Sequence, residues 1–138
     1  MNDTHVRLRV GGEDYALAVD GVLEIGELDG VTPVPGARPE VLGVRNLRGQ
    51  VIPIVDLAKL FDLPSDADLE RIVVVEDGER RAGLAVSSVV DVGPIPAATE
   101  AAESGYMKGA ALVGGTLVGV IDLPEVLAAL APAAEPSA

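Results

Sequence analysis

The chain has 138 residues, of which 49% are apolar and 2% aromatic, with no cysteine, no tryptophan and a net charge of −12. That length suits one domain with a core of its own, and the apolar share excludes an intrinsically disordered chain. The acidity argues against nucleic acid as a partner, since phosphate binding depends on Lys and Arg, and against an anionic membrane surface. Without cysteine there is neither a disulfide nor a thiolate metal site. The N-terminus, MNDTHVRLRV, lacks the basic-then-apolar layout of a signal peptide. The uncharged stretch Gly109–Ile121 is shorter than the ~20 apolar residues a spanning helix needs. The expected compartment is the cytoplasm, with no membrane insertion.

Val6, Leu8 and Val10 alternate with Arg7 and Arg9, the period of a half-buried strand. Gly11-Gly12 turns the chain, and Tyr15, Leu17 and Val19 alternate again, giving a hairpin. After Asp20-Gly21, the segment VLEIGEL reads either as a short helical turn or as a continued strand. TPVPGARP (32–39) is a proline-studded loop, unfit for a central strand. The stretch GVRNLRGQVIPIVDLAKLF (43–61) then predicts strand, tight turn at Asn46–Gly49, strand and helix. Asp56 is placed to cap that helix, with Leu57, Leu60 and Phe61 on one face. LPSDADLE (63–70) reads as a polar linker. Residues 71–76 and 81–86 form a second hairpin around Asp77-Gly78, and Gly93–Pro96 is a proline-bearing turn. PAATEAAESG (96–105) reads as a surface loop. Gly114-Gly115 separates two more strands, Asp122-Leu-Pro-Glu125 resembles a capping box, and APAAEPSA is a loosely ordered tail.

The two halves echo each other. Sliding the chain by 66 aligns Gly43 with Gly109, Gly49 with Gly115, Ile54 with Val120, Asp56 with Asp122 and Leu57 with Leu123. Sliding it by 67 aligns Leu17 with Leu84, Val19 with Val86, Val22 with Val89 and Ile25 with Val92. Each half thus reads hairpin, turn, hairpin, short helix. Short strands of that kind close most readily into small barrels, and ~65 residues are marginal alone. The repeat therefore predicts two related barrels sharing one core.

Materials for catalysis are sparse. His5 is the sole histidine and near the terminus, so no Ser–His–Asp arrangement or histidine-rich metal site assembles around it. Neither a phosphate-binding GxxxxGK[ST] loop nor a GxGxxG fingerprint occurs. Two rival readings remain. In the first, RIVVVED (71–77), ending in Glu76 and Asp77, opens a phosphoacceptor receiver-like domain with Asp122 as acceptor. Against it, Gly78 leads into a return strand, and the 16 residues after Asp122 leave no room for the remaining elements. In the second, the barrel binds a small ligand.

The ordered series EDYALAVDGVLEI (13–25), VTPVP, GVRNLRGQVIPIVDL (43–57), GLAVSSVVDV (83–92), Tyr106–Gly109 and GVIDLPEVL (119–127) closely resembles the CheW-like domain of bacterial chemotaxis coupling proteins. The resemblance covers roughly residues 5 to 130. It implies an all-β fold of two pseudo-symmetric five-stranded SH3-like barrels sharing a core, with short helices. It also implies one domain over 1–132, with subdomains near 5–65 and 66–130 and a disordered tail at 133–138. The implied function is an adaptor without catalytic activity or cofactor, linking methyl-accepting chemoreceptor tips to the regulatory domain of a CheA-type histidine kinase. Arg48, Gly43, Val22 and Glu24 match family positions associated with coupling. Ser87 stands where the family often carries Asp, and Gly114-Gly115 replaces an Arg-Gly turn.

Each candidate has a plain structural reading beside the functional one. Arg48 is a solvated turn residue or a partner contact, where arginine is enriched at hot spots. Asn46 suits a role in holding the turn, and Gly43 allows a bulge or a close approach by a partner backbone. Val22 and Ile25 fit a core or an apolar groove between the barrels that takes a receptor helix. Glu24 is solvated, or selects a basic partner. Arg45, Asn46 and Arg48 have no polar counterpart in the second half, where Ala111, Leu112 and Gly114 stand. These unshared residues, with Gly43, Val22 and Glu24, are the candidate partner-binding set.

Overall fold

The structure is a computed structural model that describes residues 4–64, 68–97 and 105–134; for 131–134 it describes only their place in a helix. The described strands are β1 Thr4–Val10, β2 Glu13–Ala18, β3 Val22–Glu27, β4 Val41–Leu47, β5 Gln50–Asp56, β6 Arg71–Asp77, β7 Arg80–Val86, β8 Ser88–Pro94, β9 Met107–Val113 and β10 Thr116–Ile121. Helix α1 is Leu57–Leu60 and α2 is Leu123–Ala134.

The strands form two five-stranded sheets: sheet A in the order β8-β1-β2-β10-β9, and sheet B in the order β3-β6-β7-β5-β4. Exchanging each strand for its repeat counterpart (β1 with β6, β2 with β7, and so on) converts one order into the other. Neither sheet comes from one half of the chain. Sheet A takes the β1–β2 hairpin of the first half and three strands of the second, and sheet B the converse. The seams are the parallel pairs β2·β10 and β5·β7. Bulges recur at equivalent places too, between Val41 and Gly43 and between Val120 and Ile121.

Facing sides of the two sheets make one core. Val6, Leu8, Val10 and Leu17 of sheet A share it with Val73, Val75, Leu84 and Val86 of sheet B, and α2 adds Val126, Leu127 and Leu130. The chain's three aromatic rings meet in one cluster, Tyr15 tilted against Phe61 at 5.0 Å and Phe61 stacked on Tyr106 at 5.8 Å, tying the end of α1 to sheet A. The other face of sheet B holds a smaller apolar cluster of Ile52, Ile54, Ile72, Val74 and Ala85. On that face of sheet A the chain places charge. Asp14, whose side chain is only 3% exposed, receives Arg7 Nη2 at 2.9 Å and Arg9 Nε at 2.8 Å.

The architecture is the expected all-β one, with five strands in each unit, but among the described residues the backbone ladders stay open between β3 and β4 and between β8 and β9. In sheet B a strap after β3 partly bridges the gap. Thr32 N donates to Val44 O at 2.8 Å and Val44 N to Thr32 O at 2.9 Å. Arg38 fastens the strap further along, donating to Ala129 O of α2 at 3.0 Å. Gly43 is what lets the strap lie close, because a Cβ there would stand 2.2 Å from Thr32 O.

Both helix caps fall where the sequence places them. Asp56 Oδ1 accepts from Lys59 N at 3.2 Å, and Asp122 Oδ1 from Glu125 N at 3.3 Å. VLEIGE, all but the last residue of VLEIGEL, is strand β3, preceded by a single 3₁₀ turn at Val19–Gly21. The 63–70 linker has no helix or strand among its described residues, and its Leu63 and Leu69 pack on the core. Two expectations need correction. Gly93 and Pro94 belong to β8 rather than a turn, which an edge strand tolerates because its free side needs no N–H donor. The tail expected to be loose from 131 is helical through Ala134. Most of the expected 96–105 loop, namely 98–104, and the tail residues 135–138 lie outside the described residues.

Two outcomes are expected. Gly43→Ala forces the strap away and costs about 2–3 kcal/mol in urea unfolding, whereas Gly26→Ala, whose Cβ meets nothing within 4 Å, is near neutral. Hydrogen bonds from Arg9, with those from Arg7, hold the Asp14 carboxyl below the usual carboxylate range against the opposing effect of burial. Asp14 then contributes stability above the unfolded-state value of ~3.9, lost as pH falls through the lower folded value. Unfolding curves from pH 7 to 3 should therefore show a flatter acid limb for Asp14→Asn than for wild type; parallel limbs would refute the assignment.

Candidate functional site

Strand directions bring Arg45, Asn46 and Arg48 towards one end of sheet B, while Gly43 and Glu24 lie level with Gly83 near mid-strand. Strand β3 starts beside the end of β6, with Val22 opposite Val75. The β6–β7 and β4–β5 tips lie at that end too, because β5 and β7 run parallel.

The β4–β5 tip is a two-residue turn in which Arg48 (φ 50) and Gly49 (φ 87) are both left-handed and Leu47 pairs with Gln50. That geometry matches the twist of the flanking strands. Gly49 adopts it freely, while Arg48 does so at a cost of about 1–2 kcal/mol. The second copy of the turn, at Gly114 (φ 55) and Gly115 (φ 85), has the same backbone with glycine in both places. Asn46 supports the first turn, its Oδ1 accepting from Gly49 N at 2.9 Å.

The side chains divide by role. Arg48 is 81% exposed, and its Nη2 stands 3.3 Å from Glu24 Oε1, an oxygen hidden from solvent that accepts no aligned hydrogen bond. Arg45 is engaged within the fold, with Nη1 donating to Glu27 O at 3.1 Å and standing 3.6 Å from Asp29. Both arginines thus reach from the β4 side to β3, linking by side chains the two edges that the backbone leaves apart. Gly43 is buried beneath the strap, and Val22 packs against the shared core. Leu23 and Ile25, beside Glu24 on β3, are exposed.

Three further residues complete this end, and the sequence reading did not select them for it. Arg81 on β7 donates from Nε to Glu76 Oε1 on β6 and from Nη1 to Gln50 Oε1 on β5, both at 2.6 Å. Their signal lay in the hairpin register. The turn residues are Gly78 and Glu79, so Asp77 faces Arg80 and Glu76 faces Arg81, which sets opposite charges across the strands. Reading Asp77-Gly78 as the turn hid that match. The equivalent tip of sheet A is apolar: Leu112 and Leu117 face each other across β9 and β10, each 63% exposed.

The interior beneath this end is filled. About 10 Å³ remains free among residues that include Glu24, Arg45, Ile52 and Val74, against the ~300–1,000 Å³ of a small-molecule site. Among the described residues no group of His, Asp and Glu is arranged to hold a metal, and no helix is long and apolar enough to cross a membrane.

The family model of the CheW-like domain matches residues 4–131. The chain belongs to the CheW-like domain family. It is 30% identical over 131 residues to the chemotaxis protein CheW of Rhizobium meliloti, covering 88% of this chain and 84% of that one. With the CheW of Bacillus subtilis it shares 38% identity over 85 residues, 60% of this chain and 54% of that one. Among solved structures it is similar to the scaffolding protein TtCheW of Thermoanaerobacter tengcongensis, with a TM-score of 0.79, 28% identity, and coverage of 89% and 86%. The two-sheet architecture is therefore that of a CheW-like domain.

Replacing Arg48 by glycine tests whether this arginine serves the fold. Its side chain packs on little, and glycine relieves the left-handed strain. Arg48→Gly should leave the unfolding free energy unchanged or raise it by up to about 1 kcal/mol, measured by urea denaturation. A loss of stability would make Arg48 a structural residue.

Proposed function

We propose that this chain is a non-catalytic adaptor that couples the cytoplasmic tips of chemoreceptors to a CheA-type histidine kinase, at receptor arrays on the cytoplasmic side of the membrane. The observation that carries the proposal is Arg48. The fold accepts glycine in the same backbone geometry one repeat later, yet here an exposed arginine occupies it. An exposed side chain kept at a conformational cost points to a role outside the fold. Arginine suits that role, since its fork bonds a carboxylate or carbonyl in two places. The names of relatives, chemotaxis proteins and a scaffolding protein, support the same reading.

In this proposal the Arg48 end of sheet B, with Glu24 and Asn46, meets the kinase's regulatory domain. Arg45 and Gly43 keep β4, β3 and the strap in place beneath it. The apolar margin of β3 between the sheets, with Leu23 and Ile25 exposed and Val22 behind them, takes the receptor helix. The shared core makes the two contact surfaces parts of one body, so a receptor shift moves the kinase.

The rival readings find less support. A receiver needs helices packed around a parallel sheet and a free acidic acceptor, whereas Asp56 and Asp122 are engaged as helix caps. A ligand-binding barrel needs an interior cavity; the space beneath the Arg48 end is about 10 Å³, and an open groove lined by Asp20, Glu76, Lys108 and Leu123 holds about 210 Å³, below the ~300 Å³ of a small-molecule site.

Co-sedimentation of the full chain with receptor-bearing membranes and the cognate kinase tests the proposal. Wild type should enrich in the pellet with the kinase, and Arg48→Glu should lower kinase recruitment at least about tenfold, as loss of a hot spot does. Equal behaviour of the two proteins, or no enrichment of either, would overturn it.

A further inference from the structure

We infer that Arg81 is a positioning residue for Arg48, acting through Gln50; the inference rests on the reading above that Arg48 contacts the partner. A two-residue turn at the end of an edge hairpin is ordinarily among the first parts of a sheet to fray. Here Arg48 has a single charge contact at 3.3 Å to an oxygen with no aligned hydrogen bond, which alone holds an exposed arginine weakly. A firmer restraint comes from the opposite side. Gln50 closes the turn as the partner of Leu47. Its side chain is gripped by Arg81, which is itself oriented by Glu76. Because β7 and β6 lie in the middle of the sheet, this strut ties the tip of the edge hairpin to the rigid centre.

The five side chains form a nearly continuous rim on the end of the sheet. Glu24 (β3) meets Arg48 (the turn), and Gln50 (β5) meets Arg81 (β7), which meets Glu76 (β6). Every strand except β4 supplies a member, and β4 leads directly into Arg48. In sheet A the counterparts are Asp91, Gly114, Thr116, Asp14 and Arg9. The Glu76–Arg81 pair survives there with its charges exchanged, as Arg9 and Asp14. The links to the turn do not survive, since Gly114 has no side chain and Thr116 has no amide to offer. The rim is therefore a property of sheet B alone, and it places the arginine before the partner arrives, which lowers the ordering cost of binding.

Arg81 could instead matter only as a positive charge near the contact, and lysine separates the two roles. It keeps the charge but lacks the fork that reaches Glu76 and Gln50 together. The full-length chain is compared with Arg81→Ala, Arg81→Lys and Gln50→Leu by amide exchange at Gly49, melting temperature and kinase capture. All three variants should speed Gly49 exchange about tenfold and lower capture roughly fivefold or more, with melting temperature within about 2 °C of wild type. Arg81→Ala combined with Gln50→Leu should be no worse than either alone. Unchanged Gly49 exchange in Arg81→Ala, or full capture by Arg81→Lys, overturns the positioning role. If wild type itself fails to capture kinase, the functional reading has failed, and Gly49 exchange alone decides whether the strut exists.

Discussion

The structure depends on the exchange of hairpins between its two halves. A parallel strand pair cannot be closed by a tight turn and needs a long connection, and here both parallel pairs join strands far apart in the chain. Each sheet is completed only by a hairpin from the other half, so the shared core fills with residues of both. Half of this chain would bury too little surface to be secure alone. Interlocking the halves gives one body of adequate size, and the aromatic cluster and the Arg38 contact to α2 reinforce it. Rigidity of this kind is what an adaptor needs if movement at one surface is to reappear at another.

On this duplicated frame the halves have diverged where the frame permits. The glycine-containing turns, the bulges and the capping aspartates recur, because each answers a backbone requirement. What differs sits on side chains that no such requirement fixes. Sheet B has a second apolar cluster beneath a charged rim, whereas sheet A has the buried Asp14 with its two arginines and a leucine pair at its tip. The turn at 48–49 and its copy at 114–115 make the contrast sharpest, since one backbone conformation carries arginine in the first and glycine in the second.

Much of this was legible in the sequence, and the rest was hidden for physical reasons. The repeat, the hairpins, both caps and the singular position of Arg48 follow from local pattern. Strand order does not, because alternation says which face of a strand is buried but not which strand lies beside it. The hairpin exchange was therefore out of reach, and with it the meeting of Glu24 and Arg48, which lie on opposite edges of the sheet. Arg7 and Arg9 read as a solvated stripe, since nothing local reveals that Asp14 is buried beside them on the same face. Gly43 looked open to a partner until the strap residue Thr32 was found against it. The Arg81 strut needed the exact turn residues, and a one-residue error in placing the turn removes the pairing that defines it.

The two sheets form one cooperative body, and native-state amide hydrogen exchange measures this directly. In low concentrations of urea, the most protected amides of β1 and β2 and those of β6 and β7 should open with the same free energy and the same urea dependence, because each hairpin completes the other half's sheet. Protection that is lost from one sheet at a distinctly lower free energy, while the other stays closed, would contradict the account.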